Sequence, residues 1–266
     1  MTIHVFNGFT CSARVPSHWH TGTLCLLVET NQGLVLIDTG LGQDDYIHKS
    51  GMLRIFQMVT IVPLNPEEAA VHQVVRLGYQ PEDVGHIVLT HMHFDHCGGL
   101  PDFPHAKVYV HRREYEAFMG RPRRWTDFAY VHRHIAHQPK FVLMDTDRDE
   151  RWFGFPAIRL PFDLGLEAEA ALEAEATIWL VPLFGHTQGH CGVAIQTESG
   201  WLFHVGDAAP IESLGEVPNW LVNLVLGPHA PRLREFAAAH PEIRMTTGHM
   251  ALNFFREVKT LQWLEH

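Results

Sequence analysis

The chain has 266 residues, of which 46% are hydrophobic, so it can bury a large core in one large domain or two small ones. Its formal net charge of −10 argues against nucleic acid as the main partner, because binding a polyanion requires a basic surface. The sequence contains neither a signal-peptide pattern nor an apolar run of the ~20 residues that a membrane helix needs, so we expect a cytoplasmic protein without membrane contact.

The hydrophobic pattern predicts strands that alternate with helices. Two strands are predicted at 24–29 and 33–38, and the apolar run 34–37 is typical of a strand that is covered on both faces. A helix is predicted over 65–77, because Pro66 and two glutamates open it and Gly78 closes it. Further strands are predicted at 86–89, 107–110, 177–181, 193–197 and 201–205. This alternation indicates a layered architecture of strands and helices.

Two segments do not follow this alternation. Residues 111–165 interleave arginines with aromatic residues and are interpreted as an irregular or helical insertion over the site, followed by the low-complexity stretch 166–176. Residues 52–62 are unusually apolar for a loop region. They have three interpretations, which are a lid, a homodimer contact or ordinary core.

A cluster of metal-binding residue types follows the predicted strand 86–89. Four of them lie within six residues, namely His91, His93, Asp95 and His96. Imidazole and carboxylate are ligands that zinc and similar metals prefer. The spacing fits neither one helix face nor one strand face, so it predicts a loop whose side chains turn around a common centre. Three further candidates lie beside glycines just past predicted strands: His186, Asp207 and His249.

These motifs resemble those of the metallo-β-lactamase superfamily. The motif Leu36-Ile37-Asp38-Thr39-Gly40 completes the pattern, which then spans residues 38–249. The resemblance implies an α+β fold, a four-layer αβ/βα sandwich in which two mixed β-sheets pack face to face with helices on the outside. It also implies a single domain over residues 1–266, with the insertion at about 111–176 lying over the active site.

The resemblance further implies a dinuclear metal site. It assigns three ligands to a first ion, namely His91, His93 and His186. It assigns three others to a second ion, namely Asp95, His96 and His249, and it makes Asp207 a carboxylate that bridges both ions. The implied cofactors are two divalent ions, zinc before iron, manganese or cobalt, since all of these accept such ligands. The implied nucleophile is a metal-bridging hydroxide, because metals lower the pKa of bound water from ~15.7 toward ~7.

Several nearby residues receive lesser roles. Asp95 is also a catalytic candidate, which would orient the hydroxide or carry its proton. Asp38 is interpreted as a hydrogen-bond partner that orients a ligand histidine. His190 is interpreted as a residue that supports a ligand or packs beneath the site, and Cys97 and Cys191 as small buried thiols. No Cys-x-x-Cys spacing is present, which favours reduced cysteines over disulfides.

The complete ligand set favours a metal-dependent hydrolase of a small-molecule substrate. The loop Thr-His-x-His-x-Asp-His-x-Gly-Gly and the chain length are most similar to N-acyl homoserine lactonases and related lactone or organophosphate hydrolases. This layout favours cleavage of a lactone or a carboxylic ester. Some lactonases carry a tyrosine three residues after the bridging aspartate, where this chain has Pro210. That departure leaves room for another ester or a phosphotriester.

Four alternatives remain open at this point. A thioesterase of the glyoxalase II kind uses the same ligand set, as does an organophosphate or phosphodiester hydrolase. A persulfide dioxygenase would hold one iron through His91, His186 and Asp207. A ligand-binding regulator with little turnover is the fourth, and the intact ligand set argues against it. Metal content separates the redox alternative from the others, because one iron per chain contradicts a dizinc centre.

Overall fold

The computed structural model describes residues 2–13, 20–30, 33–146, 150–160, 178–197, 200–209, 223 and 225–258. The low-complexity stretch 166–176 and Pro210, both singled out from the sequence, lie outside the described residues. Within the described ranges, none of the helices combines the length and the apolar character that crossing a bilayer requires.

The first layer is an eight-stranded mixed sheet. With strands numbered along the chain, its members are β1 (Ile3–Ala13), β2 (His20–Thr30), β3 (Gly33–Ile37), β4 (Thr60–Ile61), β5 (Val84–Val88), β6 (Lys107–His111), β7 (Lys140–Met144) and β15 (His249–Ala251). Their order is β4-β1-β2-β3-β5-β6-β7, and β15 also pairs with β2. The strands from β3 to β7 in this order run parallel, and the remaining pairs are antiparallel.

The second sheet has five strands. They are β10 (Ile158–Arg159), β11 (Ile178–Pro182), β12 (Cys191–Thr197), β13 (Gly200–His204) and β14 (Arg244–Thr246). All neighbours are antiparallel except β13 and β14, which are parallel. A separate two-stranded hairpin is formed by β8 (Arg151–Trp152) and β9 (Phe155–Pro156).

The helices connect and cover these strands. The α-helices are α1 (Gln43–Ile47), α2 (Gly51–Val59), α3 (Ala70–Arg76), α4 (Phe94–Cys97), α5 (Arg112–Met119), α6 (Ala230–Ala239) and α7 (Leu252–Glu257). Short 3₁₀ helices occur at Pro66–Glu68, Pro81–Asp83, Leu100–Asp102, Trp125–Ala129, His132–Ile135 and Gly206–Ala208.

Neighbouring residues of the central strands belong to different layers, because successive side chains of a strand point to opposite faces. In β2, Leu26 packs in the cluster between the two sheets, whereas Leu27 packs in the cluster beneath α3 and α5. In β13, Leu202 lies between the sheets, and Phe203 contacts Phe236 of α6 with ring centroids 6.0 Å apart. The sheets therefore face each other with helices outside, which confirms the predicted four-layer α+β sandwich.

The helix predicted over 65–77 is wrong in its first half. Residues Pro66–Glu68 form a 3₁₀ turn capped by Asn65, and α3 begins only at Ala70 because Ala69 has an extended ψ of 130°. A tertiary contact accompanies the break. The carboxylate of Glu68 accepts hydrogen bonds from the backbone and the hydroxyl of Thr10 at 2.9 and 2.7 Å, which draws this turn toward β1.

The prediction of an irregular or helical insertion at 111–165 is wrong where strands form, because parts of this segment pair with the edges of both sheets. The described part of 111–176 contributes β7 to the first sheet and β10 to the second. Residues 52–62 form most of α2 and then β4. In α2, Leu53 is fully buried while Ile55 and Met58 are exposed, so this helix has one packed face. The long strand β1 was not predicted from the sequence.

The loop after β3 crosses β1 at two glycines. Gly40 has a φ of 66°, and a Cβ there would overlap the backbone of Gly8. Leu41 donates its backbone N–H to the Gly8 carbonyl at 3.0 Å. This crossing fixes the path of the chain after Asp38. The segments around Gly8 and Gly40 cannot approach more closely without overlap, and they cannot separate without losing the hydrogen bond from Leu41 to Gly8.

We expect Gly40→Ala to lower the free energy of unfolding by at least about 1 kcal/mol, since a left-handed alanine is strained by about 1–2 kcal/mol and the overlap with Gly8 adds to it. The matched control is Gly51→Ala at the start of α2, where no neighbouring atom lies within 4 Å of the added Cβ. Urea unfolding followed by circular dichroism measures both. A Gly40→Ala protein as stable as the Gly51→Ala protein would contradict the argument.

Candidate metal centre

The histidine loop leaves the carboxyl end of β5 and enters α4. His93 is the N-cap of α4, and Asp95 and His96 lie within this single-turn helix. The short helix turns the two halves of the motif toward one point, which no single face of a long helix could do. All four candidate residues of the loop are buried.

The first group contains His91, His93 and His186. One ring nitrogen from each lies within 4.8 Å of the others, and His93 Nδ1 is 3.1 Å from His186 Nε2. Ligands of a tetrahedral zinc ion with bonds of 2.0–2.1 Å lie about 3.3 Å apart, so this separation suits a shared ion. His186 Nδ1 donates to the carbonyl of Val225 at 2.7 Å, which leaves Nε2 unprotonated in the neutral ring.

The second group contains Asp95, His96 and His249. Asp95 Oδ2 lies 3.5 Å from His249 Nε2 and 3.9 Å from His96 Nε2. The residues come from different elements, since His249 begins β15 while the other two belong to α4. The sheet pairing of β15 with β2 is therefore what brings His249 to the loop.

Asp207 lies between the two groups. Its Oδ2 is 3.4 Å from His186 Nε2 and 3.3 Å from His249 Nε2, and its Oδ1 is 3.6 Å from His96 Nε2. The backbone N–H of Asp207 donates to His190 Nε2 at 3.0 Å, and His190 Nδ1 donates to a backbone carbonyl. Both ring nitrogens of His190 are thus occupied by hydrogen bonds to the backbone, one of them to Asp207. This agrees with the predicted role of His190 as a residue that supports the site or packs beneath it.

Asp38 sets which ring nitrogens face the centre. It accepts hydrogen bonds from His96 Nδ1 at 2.8 Å and from the Thr90 hydroxyl at 2.7 Å. Because the Thr90 proton is directed at Asp38, its oxygen is free to accept from His91 Nδ1 at 3.0 Å. In the neutral form of each ring, these hydrogen bonds leave Nε2 of His91 and of His96 unprotonated and free to bind a metal ion. The predicted hydrogen bond between Asp38 and a histidine of the motif is present. Thr90 links Asp38 to His91 in the same way, and the sequence did not indicate this contact.

The residues fit divalent metal ions. Among the described residues, the buried atoms His91 Nε2, His96 Nε2 and Asp207 Oδ1 have no hydrogen-bond partner. A buried polar atom without a partner costs about 1–3 kcal/mol, so hydrogen bonds alone do not account for this cluster. Neutral imidazole nitrogens and a carboxylate are the donors that zinc takes in proteins.

The electrostatics differ between the two groups. Burial lowers the pKa of His91, His93 and His186, which favours the neutral rings that bind metal. Burial also opposes protonation of His96 and His249, but nearby carboxylates outweigh it and raise the pKa of both rings. The first group is thus neutral by desolvation.

Asp207 shows the reciprocal effect. Burial opposes its ionisation, yet His249 and His96 hold its pKa well below the usual range. The carboxylate is therefore ionised between the two groups of histidines. Placed there, one negative charge faces nitrogen atoms of both groups.

The structure also identifies a residue that the sequence did not single out. Glu114 on α5 is fully buried, together with Ala117 and Phe118 of the same helix. Residues at positions i, i+3 and i+4 share one face of a helix, and here two of the three are apolar. A glutamate on the apolar face of a predicted helix is a sequence signal for a buried charged residue, and it could have identified Glu114. Cys97 and Cys191 are free and buried, as predicted.

A cavity of about 590 Å³ opens over the cluster. Its floor includes Asp95, Asp207 and His249. Its walls are mostly apolar side chains from α2, α4, the 3₁₀ helix Trp125–Ala129 and the segment before α6: Met52, Phe56, Phe94, Trp125, Phe128, Val225 and Leu226. Within the described part of the chain, the lining includes neither lysine nor arginine. This part of the predicted insertion and α2 therefore form walls of the cavity.

Comparison with known families identifies the class. The model of the metallo-beta-lactamase superfamily matches residues 19–253. The match covers most of the chain and includes all seven of the predicted metal-ligand positions. The chain therefore belongs to the metallo-β-lactamase superfamily.

Two relatives with curated descriptions are similar to this chain in sequence. A probable metallo-hydrolase of Mycobacterium tuberculosis is 38% identical over 183 residues, which cover 69% of this chain and 55% of that protein. An N-acyl homoserine lactonase of Bacillus cereus is 37% identical over 180 residues, covering 67% of this chain and 60% of that protein. The matched segment thus spans little more than half the length of these relatives.

Solved structures show the same fold. An N-acyl homoserine lactone hydrolase, with its product N-hexanoyl-L-homoserine bound at the catalytic metal centre, has a TM-score of 0.69 at 23% identity and covers 96% of this chain and 95% of that one. AidC, a dizinc quorum-quenching lactonase, has a TM-score of 0.57 at 19% identity, with coverage of 87% and 73%. At these identities the likeness concerns the fold.

We expect Asp38→Ala to lower the free energy of unfolding by about 1–3 kcal/mol for each buried donor that it leaves unpaired, on Thr90 and His96. Unfolding in urea, measured with a chelator present, tests this effect without any contribution from bound metal. The control is Asp44→Ala, which removes an exposed aspartate paired with exposed His48 and half-buried Arg133 and is expected to change stability by less than about 1 kcal/mol. Equal stability of the two variants would refute the proposed anchoring by Asp38.

Proposed function

We propose that the chain is a metal-dependent hydrolase with a dinuclear centre that cleaves a lactone or a carboxylic ester bearing an apolar group. One observation carries the proposal. Two groups of three potential ligands share the carboxylate of Asp207 on the floor of an apolar cavity. The hydrolases and lactonases among the relatives support the same class of reaction.

The proposed ligands divide as the two groups do. His91, His93 and His186 would hold the first ion and Asp95, His96 and His249 the second, with Asp207 facing both. Divalent ions held there supply Lewis acidity, which lowers the pKa of water toward ~7 and polarises a carbonyl group. Zinc is favoured because most of these ligands are imidazoles and a structural neighbour is a dizinc lactonase.

Asp95 is the proposed proton carrier. It is the carboxylate of the second group, and its side chain also lines the cavity. A carboxylate that lines the cavity could hold the proton of an attacking water and return it to a leaving alkoxide bound beside it. Asp207 is less suited to this role, because its two oxygens face three histidines of the cluster.

The cavity favours an uncharged substrate. A negative charge on a part of the substrate that lies against the walls, away from the metal ions, would need a cationic partner there, because an unpaired charge is costly in an apolar environment. The described lining offers no lysine or arginine for this purpose. A neutral lactone or ester is therefore favoured over a thioester that carries a negative charge far from the scissile bond. A neutral phosphotriester meets the same criterion and is the second candidate.

A mononuclear iron centre is disfavoured. Iron on His91, His186 and Asp207 would leave the converging side chains of Asp95, His96 and His249 without a function. Buried groups of this kind are costly to keep together unless they bind something. The second group of ligands therefore supports two ions in preference to one.

We expect the purified protein to contain two zinc ions per chain and to lose hydrolysis when a chelator removes them. Asp207→Ala should lose metal and reduce kcat by more than about 100-fold, since it removes the carboxylate that faces both groups. Metal analysis and turnover are measured on the same sample over lactones, esters, thioesters, phosphotriesters and phosphodiesters. Asp145→Ala, outside the cavity, serves as the control. Full turnover by Asp207→Ala, or one iron per chain, would sink the proposal.

The apolar walls predict a dependence on acyl length. Each buried methylene contributes about 0.8 kcal/mol, so kcat/KM should rise by up to about fourfold per methylene until the cavity is filled. Phe128→Ala removes an exposed aromatic wall residue and should weaken this dependence while sparing short substrates. Phe153→Ala, an exposed aromatic residue that does not line this cavity, is the matched control. A flat dependence on length in the unmodified protein would exclude an acyl pocket.

A further inference from the structure

Glu114 is a buried carboxylate with four hydrogen bonds. Its Oε1 accepts from the backbone N–H of Met92 at 2.9 Å and from the hydroxyl of Tyr130 at 3.0 Å. Its Oε2 accepts from the hydroxyl of Thr187 at 2.6 Å and from the backbone N–H of Gly189 at 3.0 Å. Each oxygen thus accepts two hydrogen bonds, and one of each pair comes from the backbone.

These four donors belong to the segments around the first ligand group. Met92 lies between His91 and His93, in the loop that follows β5 of the first sheet. Thr187 follows His186, in the loop after β11 of the second sheet. The carboxylate therefore joins loops from opposite sheets, which carry the three histidines of the first group. Within the described part of the chain, Glu114 forms no hydrogen bond with a residue of the second group.

The pattern of donors requires a carboxylate. The hydroxyls of Tyr130 and Thr187 can rotate to accept a hydrogen bond, but the backbone N–H groups of Met92 and Gly189 can only donate. A glutamine in place of Glu114 would turn its NH₂ group toward one of these two N–H groups in either orientation. It would therefore leave at least one buried backbone donor without an acceptor, at a cost of about 1–3 kcal/mol.

Two packing features hold Glu114 in this position. A Cβ at position 189 would overlap the backbone of Glu114, so only glycine allows the second loop to approach α5 this closely. Tyr130 also contacts His93, with ring centroids 5.4 Å apart and an isolated backbone bridge between the two residues. The hydrogen bond from Tyr130 to Glu114 thereby fixes the surface against which the His93 ring packs.

We propose that Glu114 is a positioning residue, which holds the His91–His93 loop and the His186 loop at the separation that lets three nitrogens share one ion. This inference rests on the dinuclear centre proposed above. It makes a selective claim, because Glu114 bonds only to the segments of the first group. Loss of Glu114 should weaken binding of the first ion and spare the second.

The test compares Glu114→Gln with Glu116→Gln, which removes the same charge from an exposed position on the same helix. Zinc affinity is measured by competition with a chromophoric chelator, in backgrounds that each keep one group. In His249→Ala, where the first group is intact, Glu114→Gln should weaken zinc binding by about 10- to 100-fold. In His186→Ala, where the second group is intact, it should leave zinc affinity unchanged. Glu116→Gln should have no effect in either background.

Unchanged zinc affinity of Glu114→Gln in the His249→Ala background would overturn the proposal. Equal weakening in both backgrounds would also overturn it, because that result assigns Glu114 a general role in folding. If Glu114→Gln does not fold, Thr187→Val and Tyr130→Phe each remove one donor and should weaken only the first ion, and unchanged affinity in both would refute the idea. An unmodified protein that binds no zinc would instead overturn the dinuclear centre itself.

Discussion

The structure depends on one constraint: the lone pairs of buried histidine nitrogens and aspartate oxygens are held close together around Asp207. His91, His96 and Asp207 are buried with polar atoms that lack hydrogen-bond partners in the described part of the chain. Such an arrangement opposes folding unless a ligand compensates it. Two further carboxylates outside the groups of potential ligands hold the cluster in place. Asp38 directs the ring nitrogens, and Glu114 ties the loops that carry the first three histidines.

The sandwich explains why the two groups meet. Loops of the first sheet carry His91 to His96, the second sheet supplies His186 and Asp207, and β15 brings His249 back to β2. Packing of the sheets against each other therefore closes the site, since the first group needs His186 from the second sheet and both groups face Asp207, which also comes from the second sheet. The same geometry gives Glu114 its importance. It connects a loop of the first sheet with a loop of the second through buried hydrogen bonds.

Chemistry and selectivity are divided between different parts of the molecule. The floor of the cavity contains the potential ligands, while α2 and the segment Trp125–Ala129 provide apolar walls. Among the described residues the walls contain neither lysine nor arginine, so they offer no partner for a negative charge that lies away from the floor. Most of the walls come from segments outside the ligand motifs, so the walls can vary in sequence independently of the potential ligands.

The sequence by itself determined the ligand-type residues, the strands that precede most of them and the family, because residue chemistry and the periodicity of buried strands are local properties. It also identified Asp38 as a partner of a histidine. Only the tertiary structure decided the roles of Glu114 and Thr90, the break at Ala69 and the place of α2 in the cavity wall. Each of these depends on contacts between residues far apart in the chain, as when Glu114 meets Met92 and Gly189, and no local pattern encodes which distant donors will surround a side chain.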